Sequence, residues 1–147
     1  MKKPEIFDLE SIKTEDGELV PIYRDWDPWH AGYIPQMAYI TTLRPGVVKG
    51  PILHERRRGL MMAYSGEVEV ECMIDGKISS FSLIDKNENR KILLIPAGVP
   101  NKITNLSLDA EAIIINLPDR AWRPDDEDTI KFESWESYQE YSLKEVQ

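Results

Sequence analysis

Between Glu67 and Cys72 the chain alternates strictly. Val68, Val70 and Cys72 fall on one side, and Glu67, Glu69 and Glu71 on the other. A period of two predicts a strand with one buried face and one acidic, solvated face. The longer run "LMMAYSGEVEVECMID" ends at Asp75-Gly76, a hairpin signal leading into "KISSFSLI". Other strands are predicted in "ELVPIYRDW", after the Asp16-Gly17 turn, and in "QMAYITTL", which stops at Pro45-Gly46. "RKILLIPAG" is closed by Pro96 and Gly98, while "AEAIIINLP" is almost continuously apolar and reads as a central strand. Helical periodicity is confined to the tail, "SWESYQEYSLKEVQ". Ser134 stands there at a capping position, with Trp135, Tyr138 and Tyr141 three residues apart. Short strands separated by turn chemistry predict an all-β sandwich or barrel with a short C-terminal helix over about 130–147.

Composition narrows the partners. At 147 residues and 17.0 kDa the chain has the length of one domain, 1–147, with a sizeable single core. No repeat, low-complexity tract or Gly/Ser linker divides it. The net charge of -8 argues against nucleic acid, which wants a basic surface. It leaves room for a local basic pocket that takes a small anion. Cys72 is the single cysteine and sits on the apolar side of its strand, as a small core residue would. No apolar run reaches transmembrane length, and "MKKPEIFDLE" lacks the apolar core of a signal peptide, so a cytoplasmic protein with no membrane partner is expected.

The candidate chemistry is concentrated in "GPILHERRRGLMMAYSG". It holds His54, one of two histidines, followed after Glu55 by Arg56, Arg57 and Arg58. His54 reads as a metal ligand, a base, or an imidazole satisfied by its neighbours. Arginines in sequence read either as a solvated edge or as a phosphate grip, because guanidinium forks match phosphate oxygens. Strand alternation would send Arg56 and Arg58 to the side of His54, and Arg57 to the other.

Taken together, "TTLRPGVVKGPILHERRRGLMMAYSGEVEV", "LLIPAGVPNKITNLS" and "AIIINLPDRAWRPDDED" resemble the cupin superfamily, and within it the dTDP-4-dehydrorhamnose 3,5-epimerase family. The resemblance runs from Glu15 to Thr129. Its most specific pieces are "PGVVKG", "IPAGV" and "INLPDRAWRPDDED". It implies a jelly-roll barrel of antiparallel strands, a homodimer, a ligand cavity inside the barrel, and nucleotide-linked 4-keto-6-deoxy sugars as substrates. A 4-keto group acidifies the protons on C3 and C5, so the chemistry needs a base, a donor for the enolate oxygen and an acid. The family is understood to supply a histidine, a tyrosine and no metal or other cofactor.

In this register the first cupin motif expects His-x-His and finds Ile52, Leu53 and His54. The resemblance places the epimerases' base at Ile52. A metal-binding glutamate would fall at Gly59, and the histidine of the second motif at Asn101. One imidazole does not hold a tetrahedral ion, so no metal is expected. Where the epimerases carry their acidic tyrosine, "DRAWRP" offers Ala121 and Trp122. His54 is thus left as candidate base, with Tyr64 or Tyr39 as the proton donor. Lys49 matches a basic position of the epimerases, and Gln36 a polar one. With Arg56, Arg58, Asn101 and Trp122 they make the expected substrate-binding set. His30 could enter from a dimer partner. Asp119, Asp125 and Asp126 could bind hydroxyls, and Trp26, Trp29 and Tyr33 join the aromatics available for stacking a base. Two readings stay open: an isomerase-like enzyme, and a non-catalytic cupin that binds a nucleotide sugar or a related anion as a sensor or accessory subunit.

Overall fold

The computed structural model describes residues 3–27, 32–85 and 90–146; Trp29 and His30 lie outside the described residues. Ten of the strands build two antiparallel sheets. The first orders β1 (Glu5–Asp8), β9 (Lys91–Ile95), β6 (Gly59–Ser65), β11 (Ala112–Asn116) and β4 (Tyr39–Leu43). The second orders β12 (Thr129–Lys131), β5 (Val48–His54), β10 (Asn101–Asn105), β7 (Glu67–Ile74) and β8 (Lys77–Ile84). A small hairpin, β2 (Ile12–Thr14) with β3 (Gly17–Leu19), stands apart. This is the jelly-roll that the family resemblance implies, built from strands of the kind the alternation predicts.

The strand β7 buries Val68, Val70 and Cys72 as its pattern predicts, and burial pushes the Cys72 thiol up to about 12. Asp75 and Gly76 both take positive φ (51° and 76°), the turn that lets β7 and β8 pair from Ile74–Lys77 to Glu67–Ile84. These side chains meet Leu43, Ala63, Leu93 and Ile114 from the facing sheet and fill one half of the barrel. A second apolar cluster covers the outer face of the first sheet, where Leu60, Met62 and Ile92 pack under Leu9 and Tyr33.

Two expectations on strand extent are corrected. Within "ELVPIYRDW" only Glu18 and Leu19 belong to a strand, β3. Pro21 has no N–H to give a ladder, and Val20, Ile22 and Tyr23 instead pack on the outer cluster. The helical tail starts later than 130: Thr129–Lys131 adds an edge strand to β5, and helix α1 spans Trp135–Val146. Its start is the one expected, since Ser134 Oγ accepts the Ser137 N–H at 3.1 Å. Phe132 stacks against Tyr138 and Tyr141, with 5.3 Å between centroids in both pairs. Among the described residues no helix is long and apolar enough to cross a membrane.

Candidate functional site

Next to the apolar core, whose Met61, Ile95, Val99, Ile103 and Ile114 form part of its wall, the barrel holds a cavity of about 500 Å³. Ile52, His54, Gly59 and Asn101, the four positions aligned with the ligands of metal-binding cupins, all line it. Among the described residues no three His, Cys, Asp or Glu side chains cluster as a metal site.

A bulge in β5 decides which of its side chains look inward. Asn101 pairs with Ile52 but Ile103 pairs with Lys49, so three steps on β5 match two on β10. The extra residue lies at Gly50–Pro51. Gly50 has φ 104°, and a Cβ there would come within 2.8 Å of the Asn101 carbonyl oxygen. Regular alternation would put Lys49 and Ile52 on opposite faces; the bulge brings Lys49 to the cavity with Ile52 and His54. On the neighbouring strand Lys131 lies opposite Ile52 and Thr129 opposite His54, so both also line the cavity.

His54 closes β5. Its Nδ1 lies 3.2 Å from Thr129 Oγ1, and its Nε2 lies 3.4 Å from Arg57 Nη2. A guanidinium can only donate, so Nε2 accepts and the proton is assigned to Nδ1. Burial, then the charge of Arg57, lowers the imidazole pKa to about 4, and the ring is neutral at pH 7. Tyr39 faces the same space from β4, its hydroxyl pKa raised by burial. Asn101 is 4% exposed, and its amide makes no hydrogen bond among the described residues. Asn116 Oδ1, another lining group, is likewise without a partner.

The arginine run does not alternate. The strand ends at His54, and the Asp128 carboxylate accepts the backbone N–H groups of Arg56 (3.0 Å) and Arg57 (3.0 Å), bending the chain. Arg57 thereby lines the cavity at 8% exposure, a correction to the facing expected from a continuous strand. Arg56 points away and is engaged by Asp126 (2.7 Å) and Asp128 (3.2 Å). Arg58 lines the rim, but its Nε is held by Asp119 at 2.6 Å.

Of the other expected site residues, Lys49, Asn101 and Trp122 line the cavity. Trp122 is 47% exposed at its mouth, its Nε1 3.4 Å from Glu127 Oε2. Tyr64 does not belong to the cavity: it is 59% exposed, because β6 turns Met61 and Ala63 inward and Leu60, Met62 and Tyr64 outward. Gln36 borders a separate, smaller surface recess with Asp119, Arg120 and Asp126. Tyr33 is fully buried and donates to the Leu117 carbonyl at 2.5 Å, while Trp26 is exposed under Arg24. Arg57, Lys131, Thr129 and Glu127 were not singled out as site residues. Arg57 was hidden by the break in alternation, and Lys131 by its place beside the helical tail.

Several solved structures share this fold. The 3,4-ketoisomerase QdtA from Thermoanaerobacterium thermosaccharolyticum, in complex with TDP-4-keto-6-deoxyglucose, superposes with a TM-score of 0.74 at 14% identity, over 98% of this chain and 96% of that one. A 3,4-ketoisomerase from Helicobacter canadensis gives 0.75 at 14% identity, over 98% of both chains. The epimerase RmlC from Legionella pneumophila Philadelphia 1, in complex with dTDP-4-keto-L-rhamnose, gives 0.72 at 15% identity, over 88% of this chain and 72% of that one. At such identities the likeness is one of fold. No curated protein matches the chain. The family model "FdtA: WxcM-like, C-terminal" matches residues 2–139, nearly the whole length, and the chain belongs to that family.

Proposed function

We propose that the protein binds a nucleotide-linked 4-keto-6-deoxy sugar in the barrel cavity and moves a proton beside its keto group without a metal, in the cytoplasm and as a homodimer. The observation that carries this reading is the cavity itself. Its wall presents Asn101, Tyr39 and a neutral His54 to one shared space, and the Asn101 amide has no partner among the described residues. Ketoisomerases and epimerases share a first step, loss of a proton from the carbon next to the carbonyl to give an enolate. Returning that proton to the former carbonyl carbon moves the ketone, while returning it to the same carbon from the other face inverts the centre.

In this reading His54 Nε2 exchanges its long contact with Arg57 for the substrate proton. The Asn101 amide then donates to the enolate oxygen. Tyr39, kept protonated by burial, stands as the acid.

A specific observation favours the second reading, a receptor without turnover. Ile52 occupies the place expected for the base, and both nitrogens of His54 have protein partners. One experiment separates the two. The protein is incubated with TDP-4-keto-6-deoxyglucose in heavy water, following deuterium at C3, C4 and C5 by NMR and the melting temperature in parallel. Label that disappears with His54→Gln is the expected result. Stabilisation without label selects the receptor, and neither effect removes the sugar-nucleotide reading. Mass by light scattering tests the homodimer.

A further inference from the structure

Among the described residues most arginines near the cavity mouth are already matched to carboxylates: Arg56 to Asp126 and Asp128, Arg58 to Asp119, and Arg120 to Asp126. Three cations inside the cavity are not. Lys49, Arg57 and Lys131 all line it, and among the described residues none of their side chains meets an acid. They arrive from separate elements, β5, the bend after it and β12. In a chain with 26 acidic and 18 basic residues, partners for them would be easy to supply.

We propose that Lys49, Arg57 and Lys131 form one subsite for a diphosphate, with Asp128 aiming Arg57 into it. The assignment rests on the sugar-nucleotide reading for the identity of the ligand, although the subsite needs no sugar to be tested. It replaces Arg56 and Arg58, the arginines that strand alternation favours, by the one between them and by a lysine from the last strand.

Each position has a cause in the fold. The β5 bulge turns Lys49 inward, and the pairing of Lys131 with Ile52 puts Lys131 on the same face. The buried Asp128 carboxylate receives the N–H groups of Arg56 and Arg57 and the Arg56 side chain, which leaves the Arg57 guanidinium directed inward with His54 Nε2 as its neighbour. The three cations feel one another: burial, then Lys131 and Arg57, hold the Lys49 amine below the usual lysine range. A multiply charged anion between them removes that repulsion, and a diphosphate offers oxygens enough for two ammonium groups and one planar fork. A nucleic acid backbone is a poor candidate for a pocket inside the barrel of a protein of net charge -8.

The test is calorimetric titration at low salt with inorganic pyrophosphate and, separately, thymidine diphosphate. Lys49→Gln, Arg57→Gln and Lys131→Gln should each weaken both anions roughly tenfold or more, as loss of a charge-assisted contact does. Lys77→Gln, at the tip of the β7–β8 hairpin, controls for net charge and should bind as the parent does. Asp128→Asn should weaken binding with Arg57 still present, and Arg57→Gln made in that background should cost less than in the parent. Should a variant fold poorly, the parent's affinity against salt concentration still reads the subsite, since it should fall steeply as the charges are screened. Binding too weak to measure for both anions, variants that bind like the parent, or an equal loss in Lys77→Gln would each overturn the subsite. Deuterium exchange is read independently. Thymidine diphosphate held by the three cations without exchange keeps the subsite and removes turnover; exchange with unchanged variant affinities does the reverse.

Discussion

Asn101 and Asn105 occupy the two ends of β10, face the same barrel interior and are 4% and 1% exposed. At Asn105 the protein provides every partner. Its amide nitrogen donates to the carbonyls of Leu43 (3.1 Å), Arg44 (3.1 Å) and Ala110 (2.9 Å), and its oxygen accepts the Ser107 N–H at 3.0 Å. At Asn101 it provides none among the described residues. Residue type, strand, face and burial are shared, so the difference lies in what surrounds each amide. Asn105 meets the carbonyls of Leu43, Arg44 and Ala110, the second of which also accepts the Val47 N–H; Asn101 meets the cavity. The Asn101 amide opens to the cavity, where a ligand can take the hydrogen bonds left unused among the described residues.

The largest expected effect falls on the satisfied member. Asn105→Ala removes the side chain that ties Leu43, Arg44 and Ala110 together and leaves the Ser107 N–H without its acceptor, and should lower unfolding free energy by about 3 kcal/mol. Asn105→Asp should do nearly as much, because a carboxylate cannot donate to three carbonyls. Urea denaturation measures both. A loss below about 1 kcal/mol would mean that the loops satisfy themselves and that the contrast with Asn101 is false.

His54 stands between the two asparagines, since its partners are protein groups but at long range. Its folded pKa of about 4 lies below the ordinary imidazole value of 6.5. As pH falls the unfolded chain therefore binds the proton first. Stability from the neutral ring is complete above pH 6.5 and is lost as pH drops toward 4. The loss should be about 2 kcal/mol, with screening of a partly open ring allowed for. His54→Gln should remove that part of the pH dependence in denaturation curves at pH 7 and 4.5. An unchanged slope would show that the proton is taken up elsewhere.

These contrasts also show which parts of the molecule were legible in the sequence. The alternation in β7, the Asp75-Gly76 turn and the Ser134 cap are local, and the structure repeats them. Lys49 was reached through a family position, yet its inward direction depends on a bulge that pairing with β10 imposes. Arg57 was misdirected because alternation was carried past His54, where Asp128, more than seventy positions away, bends the chain. Tyr64 failed for a different reason: β6 is apolar on both faces, since the outer cluster covers most of its far side. The pattern therefore gives no inward direction, and the hydroxyl facing the cavity is that of Tyr39. Lys131 carries no local signal, and only the edge pairing of β12 brings it to Ile52.

The smallest effect on folding, and the sharpest on the comparison, belongs to Asn101. Replacing it by leucine removes an amide that makes no bond and adds apolar surface beside Ile52 and Ile103. Unfolding free energy should change by no more than about 0.5 kcal/mol, and a gain is as consistent as no change. Affinity for TDP-4-keto-6-deoxyglucose should fall roughly tenfold, as expected when a hydrogen bond to the ligand is lost. Affinity for pyrophosphate should hold, because no charge is altered. Destabilisation by 2 kcal/mol or more would make Asn101 a second Asn105, with partners inside the protein. Equal loss for both ligands would instead place the amide against the phosphates. The expected split, a neutral fold with a weaker sugar and an unchanged anion, assigns the vacant hydrogen bonds of Asn101 to the sugar end of the cavity.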